Sequence, residues 1–235
     1  VSEDEIWYEL RSSEETLQKY PYEFILRIGY KLHDSTVDVC WEVENPSDEE
    51  IAFQIGAHPA FYWPMLSNEV INQGVEAMEK ALAENNLRGF FKFNLKNKKL
   101  AELVSPDFPL VESQTIQEKG CVSNSMVNDY VLRNGVLPIT SQLFDHDALI
   151  LAESQTDIVT LLDNDSNPYL SVTFKSPLVG LWSPPMKNAP FVCIEPWYGR
   201  TDEVGYKGTF EDRKHMNHLA PHSTFKAKYE ITIHR

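Results

Sequence analysis

The chain has 235 residues, of which 42% are hydrophobic and 24% charged, and it carries a net charge of −14. That composition is ordinary for a soluble globular protein, and the sign of the charge argues against a nucleic-acid partner, whose phosphates would be repelled. It also argues against a site tuned to phosphorylated sugars, and no apolar run approaches the length of a membrane span.

Strand signals dominate along the chain. A short helix is predicted first, opened by the hydroxyls of Ser12 and Ser13 with Glu14 and Glu15 in its first turn, and stopped at Tyr20-Pro21. Tyr22 to Leu32 and Thr36 to Glu44 alternate apolar and polar residues, and His33-Asp34-Ser35 between them supplies turn chemistry, so the pair reads as a β-hairpin. Asn45-Pro46-Ser47-Asp48 is a second turn, and Ile51 to Ala57 is a third strand that runs into His58. Gly74 to Glu84 reads as a short surface helix, with a loop excursion fitting almost as well. Later strands are predicted at Ile158 to Leu162, Tyr169 to Lys175, Leu178 to Trp182, Phe191 to Glu195 and Phe225 to Ile233. The last puts Phe225, Ala227, Tyr229, Ile231 and Ile233 on one face. Short strands separated by Pro, Asn and Asp turns predict an all-β fold of antiparallel sheets with few helices. No repeat, low-complexity tract or Gly/Ser linker divides the chain, so residues 1–235 read as one domain.

Cys40, Cys121 and Cys193 are odd in number and far apart, which points to reduced thiols and a cytoplasmic setting. The acidic start Val1-Ser2-Glu3-Asp4-Glu5 is unlike the basic start of a signal peptide.

The chemistry concentrates at two strand ends. His58 follows Gly56-Ala57 and precedes Pro59, which biases it to extended backbone. Glu195 ends the apolar run Phe191-Val192-Cys193-Ile194, where an unpartnered carboxylate is costly and has its pKa raised. A proton-transfer role explains both residues. The structural alternatives stay open: a loop-bonded histidine, and a salt bridge from Glu195 to Arg200. Phe61, Tyr62 and Trp63 follow His58, Trp197 and Tyr198 follow Glu195, and Trp182 lies close before it. Flat apolar rings beside acid–base groups suit the C–H faces and hydroxyls of a sugar. His215, His218 and His222 are spaced like metal ligands, but Pro221 breaks the register and nothing nearby completes a set, so no metal is expected there. Asp145-His146-Asp147 is a still weaker metal signal, and no phosphate loop, nucleophile elbow or dinucleotide fingerprint is present.

These segments resemble the galactose mutarotase-like proteins, in particular the LacX-type branch of the aldose 1-epimerases. Phe53-Gln54-Ile55-Gly56-Ala57-His58-Pro59-Ala60-Phe61 is similar to that branch's Gly-Gly/Ala-His-Pro-Ala-Phe segment. Phe144-Asp145-His146-Asp147-Ala148-Leu149-Ile150 is similar to its Asp-Ala-Leu segment. Leu181-Trp182-Ser183 and Cys193-Ile194-Glu195-Pro196-Trp197-Tyr198-Gly199-Arg200 are similar to its C-terminal pair of motifs. The resemblance implies a β-supersandwich and a cofactor-free reaction that interconverts the α and β anomers of an aldose. It implies Glu195 as general base and His58 as general acid, with Asp147 (Asp145 if the register differs) binding a hydroxyl and Trp182 as a wall. Phe61 and Trp197 join them as expected sugar contacts. The branch also carries N-terminal strands ending in a His-Gly-Phe-Ala-Arg-like motif, whereas here Ile6 to Ser12 already matches the strand that follows. A shorter domain of this kind predicts an exposed sheet edge open to homo-oligomerisation. It also leaves two alternatives to a hexose mutarotase: a non-catalytic sugar-binding or regulatory protein, and a hexose-6-phosphate mutarotase. The mutarotase reading requires His58 and Glu195 to face one cleft, with space for a pyranose between them.

Overall fold

A computed structural model describes residues 2–96, 110–133 and 135–234. β1 (Glu5–Arg11), β2 (Ile25–His33) and β3 (Thr36–Glu44) make an antiparallel meander, with α1 (Glu14–Leu17) between the first two. Ser13 caps α1 through reciprocal bonds with Thr16. The β2–β3 hairpin closes through Asp34, whose φ of 51° is one that aspartate tolerates. β4 (Ile51–Phe53), β5 (Ile55–Gly56) and β6 (Ala60–Tyr62) follow, then α2 (Asn68–Asn72) and α3 (Val75–Glu84). The Gly74–Glu84 segment is therefore a helix, held by Met78 and Leu82 buried one turn apart. β7 (Leu87–Leu95), β8 (Leu110–Ile116), β9 (Val122–Val131), β10 (Val136–Thr140) and β11 (Leu149–Leu151) come next. The chain closes with β12 (Thr156–Leu162), β13 (Pro168–Phe174), β14 (Leu178–Trp182), β15 (Phe191–Tyr198), β16 (Asn217–Leu219) and β17 (Thr224–Ile233).

Eight strands form one sheet in the order β1-β2-β3-β17-β13-β12-β7-β10. Seven form the other, β5-β15-β14-β11-β8-β9, with β6 also on β15. Val39, Trp41, Val172, Phe174 and Tyr229 from the first share one core with Leu149, Leu151, Val179, Leu181, Val192 and Ile194 from the second. Alternation along β17 agrees: Tyr229 is buried in this core, and Ala227 and Ile231 pack against it. The result is the antiparallel β-sandwich that the pattern predicts, with three short α-helices among the described residues. None of them is long and apolar enough to cross a membrane. At the outer end of the larger sheet, β1 has one neighbour, and Tyr8, Leu10, Tyr30 and Leu32 are exposed there.

One predicted strand is broken. Ile51 to Ala57 does not run through: β4 pairs with β16, and β5 pairs with β15. The chain changes sheets at Gln54, and this crossing brings His58 to β15.

Candidate active site

Register builds the site. Gly56 faces Trp197 across β5–β15, and Ala60 faces Cys193 across β6–β15. Counting inward from both ends sets His58 opposite Glu195. Ala57 donates its N–H to the Pro196 carbonyl at 3.1 Å, and Pro196 has no N–H to return the bond. His58 and Glu195 thus occupy a position without ladder bonds, where side chains approach most closely. On the other side of β15, Gly180 faces Glu195 and Trp182 faces Cys193.

Parity then sorts the side chains. Residues 193, 195 and 197 leave one face of β15, while Val192 and Ile194 enter the core from the other. A slip of one residue would expose two aliphatic side chains, each worth roughly 1.5–3 kcal/mol when buried, and drive Glu195 into the core.

A cavity of about 550 Å³ opens on the polar face, lined in part by His58, Asp147, Trp182, Glu195, Trp197 and Arg200. His58 Nδ1 lies 3.5 Å from Glu195 Oε1, with the histidine side chain 61% exposed and the glutamate side chain 4%. The Trp182 ring meets the His58 ring edge-on at 5.4 Å and 87°. Burial pushes the Glu195 pKa up from 4.5 to about 7; a hydrogen bond from Trp197 opposes the rise, and the Asp147 charge adds to it. The Trp197 ring lies across two glycines. A Cβ on Gly56 would come within 2.7 Å of the ring, and one on Gly180 within 2.5 Å. Those missing Cβ atoms let the indole lie flat beside the carboxylate it bonds.

Asp147 lines the cavity from the loop before β11, at a φ of 75°, and accepts the Ala148 N–H at 2.8 Å. Asp145 is not among the lining residues. The salt bridge considered for Glu195 does not form: Arg200 Nη2 bonds Glu203 at 2.7 Å and Nη1 the Thr201 carbonyl at 2.9 Å. Phe61 is not brought to the cavity. It faces Val192, so the same parity that exposes His58 turns Phe61 to the core, where it packs on the main cluster. Trp63 is buried too, with its N–H on the Ala189 carbonyl at 2.8 Å.

The histidines at the C-terminal side stay apart: His218 bonds Glu50 at 3.0 Å and His222 bonds Asp48 at 2.8 Å. The trio that does converge is His58, Cys193 and Glu195. The sequence marks Cys193 only as a reduced thiol, although its two-residue spacing from Glu195 is the signal that both share a face.

Described this far, the molecule is an antiparallel β-sandwich of the galactose mutarotase-like kind, with a histidine–carboxylate pair in an aromatic-walled cavity. The chain belongs to the aldose 1-epimerase family, whose profile matches residues 1–231. It is similar to the plasmid-encoded protein LacX of Lactococcus lactis subsp. lactis, at 27% identity over 99% of this chain and 70% of LacX. A galactose mutarotase related enzyme from Lactobacillus acidophilus superposes with a TM-score of 0.79 at 26% identity, over 100% of this chain and 69% of that one. A galactose mutarotase-like protein from Lactobacillus casei shares the fold at 22% identity and a TM-score of 0.79, over 100% and 71% of the two chains.

Proposed function

We propose that this protein is an aldose 1-epimerase in activity, interconverting the α and β anomers of a hexose. The observation that carries the reading is Glu195: a carboxylate 3% exposed, raised to about 7, beside His58 in one cavity.

Glu195 accepts the proton of the C1 hydroxyl. His58 donates a proton to the ring oxygen as the C1–ring oxygen bond breaks, and an open-chain aldehyde results. Rotation about C1–C2 presents the other carbonyl face. Closure re-forms the bond with acid and base exchanged, which restores both groups. Each transfer contributes typically ~10²–10⁴-fold. A base raised to about 7 is half ionised at neutral pH, so it can both take and return the proton.

The 3.5 Å contact leaves no space for a pyranose between the pair. The chemistry does not need that space. The two oxygens that exchange protons are bonded to the same carbon, so acid and base must be neighbours at one edge of the ring. On this reading the sugar lies over the pair, with Trp182 and Trp197 as walls and Asp147 on a hydroxyl. Arg200 lines the cavity but is committed to Glu203 and Thr201, which supports a free hexose over a hexose 6-phosphate.

NMR anomer exchange on glucose and galactose tests the reading. Wild type is expected to exceed a His58→Ala, Glu195→Gln double variant clearly. Equal rates would sink it, and sugar binding without turnover would instead identify a binding protein of the same fold.

A further inference from the structure

Cys193 is the part of this cluster that acid–base chemistry does not use. It precedes Glu195 by two residues on β15, so both side chains leave the same face. Cys193 Sγ, a Glu195 carboxylate oxygen and a His58 ring nitrogen all lie within 4.8 Å of one another. Among the described residues this is the one group of three His, Cys, Asp or Glu side chains drawn so close. We propose that His58, Cys193 and Glu195 form a binding site for a thiophilic divalent cation of the Zn²⁺ class, and that the bound cation switches the acid–base pair off. The binding stands on geometry alone; the switching rests on the mutarotase reading.

The donor set selects the cation. Thiolate, imidazole and carboxylate together suit Zn²⁺, whereas Mg²⁺ and Ca²⁺ prefer all-oxygen shells. Zn²⁺ holds such ligands at ~2.0–2.3 Å, which sets tetrahedral neighbours ~3.3–3.8 Å apart. The His58–Glu195 separation of 3.5 Å already falls in that range. The sulfur and the carboxylate are carried on a paired central strand, while the His58 side chain is exposed and supplies the remaining adjustment. The cavity is lined by His58 and Glu195, and Cys193 lies buried directly behind them on the same face of β15.

The bonding balances without a redox step. The Cys193 thiol releases its proton to solvent and its sulfur binds the cation. Glu195 and His58 each supply a lone pair, and a water from the cavity takes the fourth position. The lone pair with which Glu195 accepts the sugar proton, and the His58 nitrogen beside it, are then engaged. Proton transfer stops until the cation leaves.

Co²⁺ titration of the reduced full chain tests the site directly, because a tetrahedral cobalt–thiolate centre has intense charge-transfer and visible bands. We expect those bands to saturate at a single equivalent and to vanish when Zn²⁺ displaces Co²⁺. A Cys40→Ser, Cys121→Ser variant should keep them. Cys193→Ser, with Cys193→Ala as a second choice should the first not fold, should lose the thiolate band. Affinity should fall by at least the roughly 10–100-fold that loss of a mere supporting contact costs. Absence of the band in wild type overturns the site and needs no variant; so does a band that survives loss of Cys193. In anomer exchange, one equivalent of Zn²⁺ should abolish the wild-type rate and a chelator restore it. A cobalt band with no exchange activity removes the mutarotase reading and keeps the metal site. Exchange activity with no band does the reverse. An active protein that shows the band and ignores Zn²⁺ overturns the switching.

Discussion

Asp38 on β3 and Glu195 on β15 are both carboxylates inside their sheets, 8% and 3% exposed, and their acidities move in opposite directions. Burial alone would raise both. At Asp38 the bonds from Lys228 at 2.8 Å and His33 at 3.0 Å outweigh it, and the pKa falls below its ordinary value. Among the described residues no lysine or arginine pairs with Glu195, since Arg200 is turned to Glu203, and the pKa climbs to about 7. The outer face of the larger sheet pairs its charges, as in Arg27 with Glu9 and Glu44 or Lys226 with Glu42. On the smaller sheet the buried Glu195 is left short of a cation. The first arrangement supports the fold; the second costs the fold stability and, in the proposed mechanism, supplies the proton acceptor.

The widest separation between the two should appear in rate. Glu195→Gln is expected to lower anomer exchange by ~10²–10⁴-fold, His58→Ala by a similar factor, and the double variant by much less than their product. Asp38→Asn should leave the rate near wild type. A fully active Glu195→Gln protein would erase the distinction.

Stability should reverse the order. Glu195 has a folded pKa of about 7 against an ordinary 4.5, so the folded state holds the proton more tightly. Stability from that proton is complete below pH 4.5 and is lost as pH rises to about 7, a total on the order of 3 kcal/mol. Glu195→Gln, neutral throughout, should therefore be more stable than wild type at pH 8 and little changed at pH 4, as chemical denaturation can measure. Asp38→Asn is expected to destabilise by about 1 kcal/mol at pH 7. Because the Asp38 pKa is lowered, that difference is present above its ordinary 3.8 and fades as pH falls through the folded value. Denaturation midpoints that shift the same way in both variants would contradict the contrast.

A smaller effect isolates the environment of Glu195 itself. The exchange rate should fall on the acid side with a midpoint near pH 7. Gly180→Ala would press a methyl into the Trp197 ring and weaken its bond to Glu195, which now holds the pKa down. The acid limb should move to higher pH with the Asp38 pairing untouched. A limb that stays in place would mean the indole does not tune the carboxylate.

Local pattern alone determined part of the sandwich. Period-two alternation marked β2, β3 and β17 within a few residues, and the apolar run before Glu195 marked β15, because alternation is written in the residues themselves. It did not reveal β1, β6 to β11 or β16. Gly89, at a φ of 118°, breaks the alternation within β7, and β8 and β9 carry polar residues such as Ser113, Gln114, Asn128 and Asp129. The acid–base candidates were equally legible as types: a histidine before proline and a carboxylate closing a buried strand. Only the tertiary structure decided what they meet. The crossing at Gln54, the pairing that sets His58 opposite Glu195, the turn of Phe61 to the core and the convergence of Cys193 all depend on register between distant segments. One residue of slip exchanges every face, and no local spacing records which register the two sheets adopt.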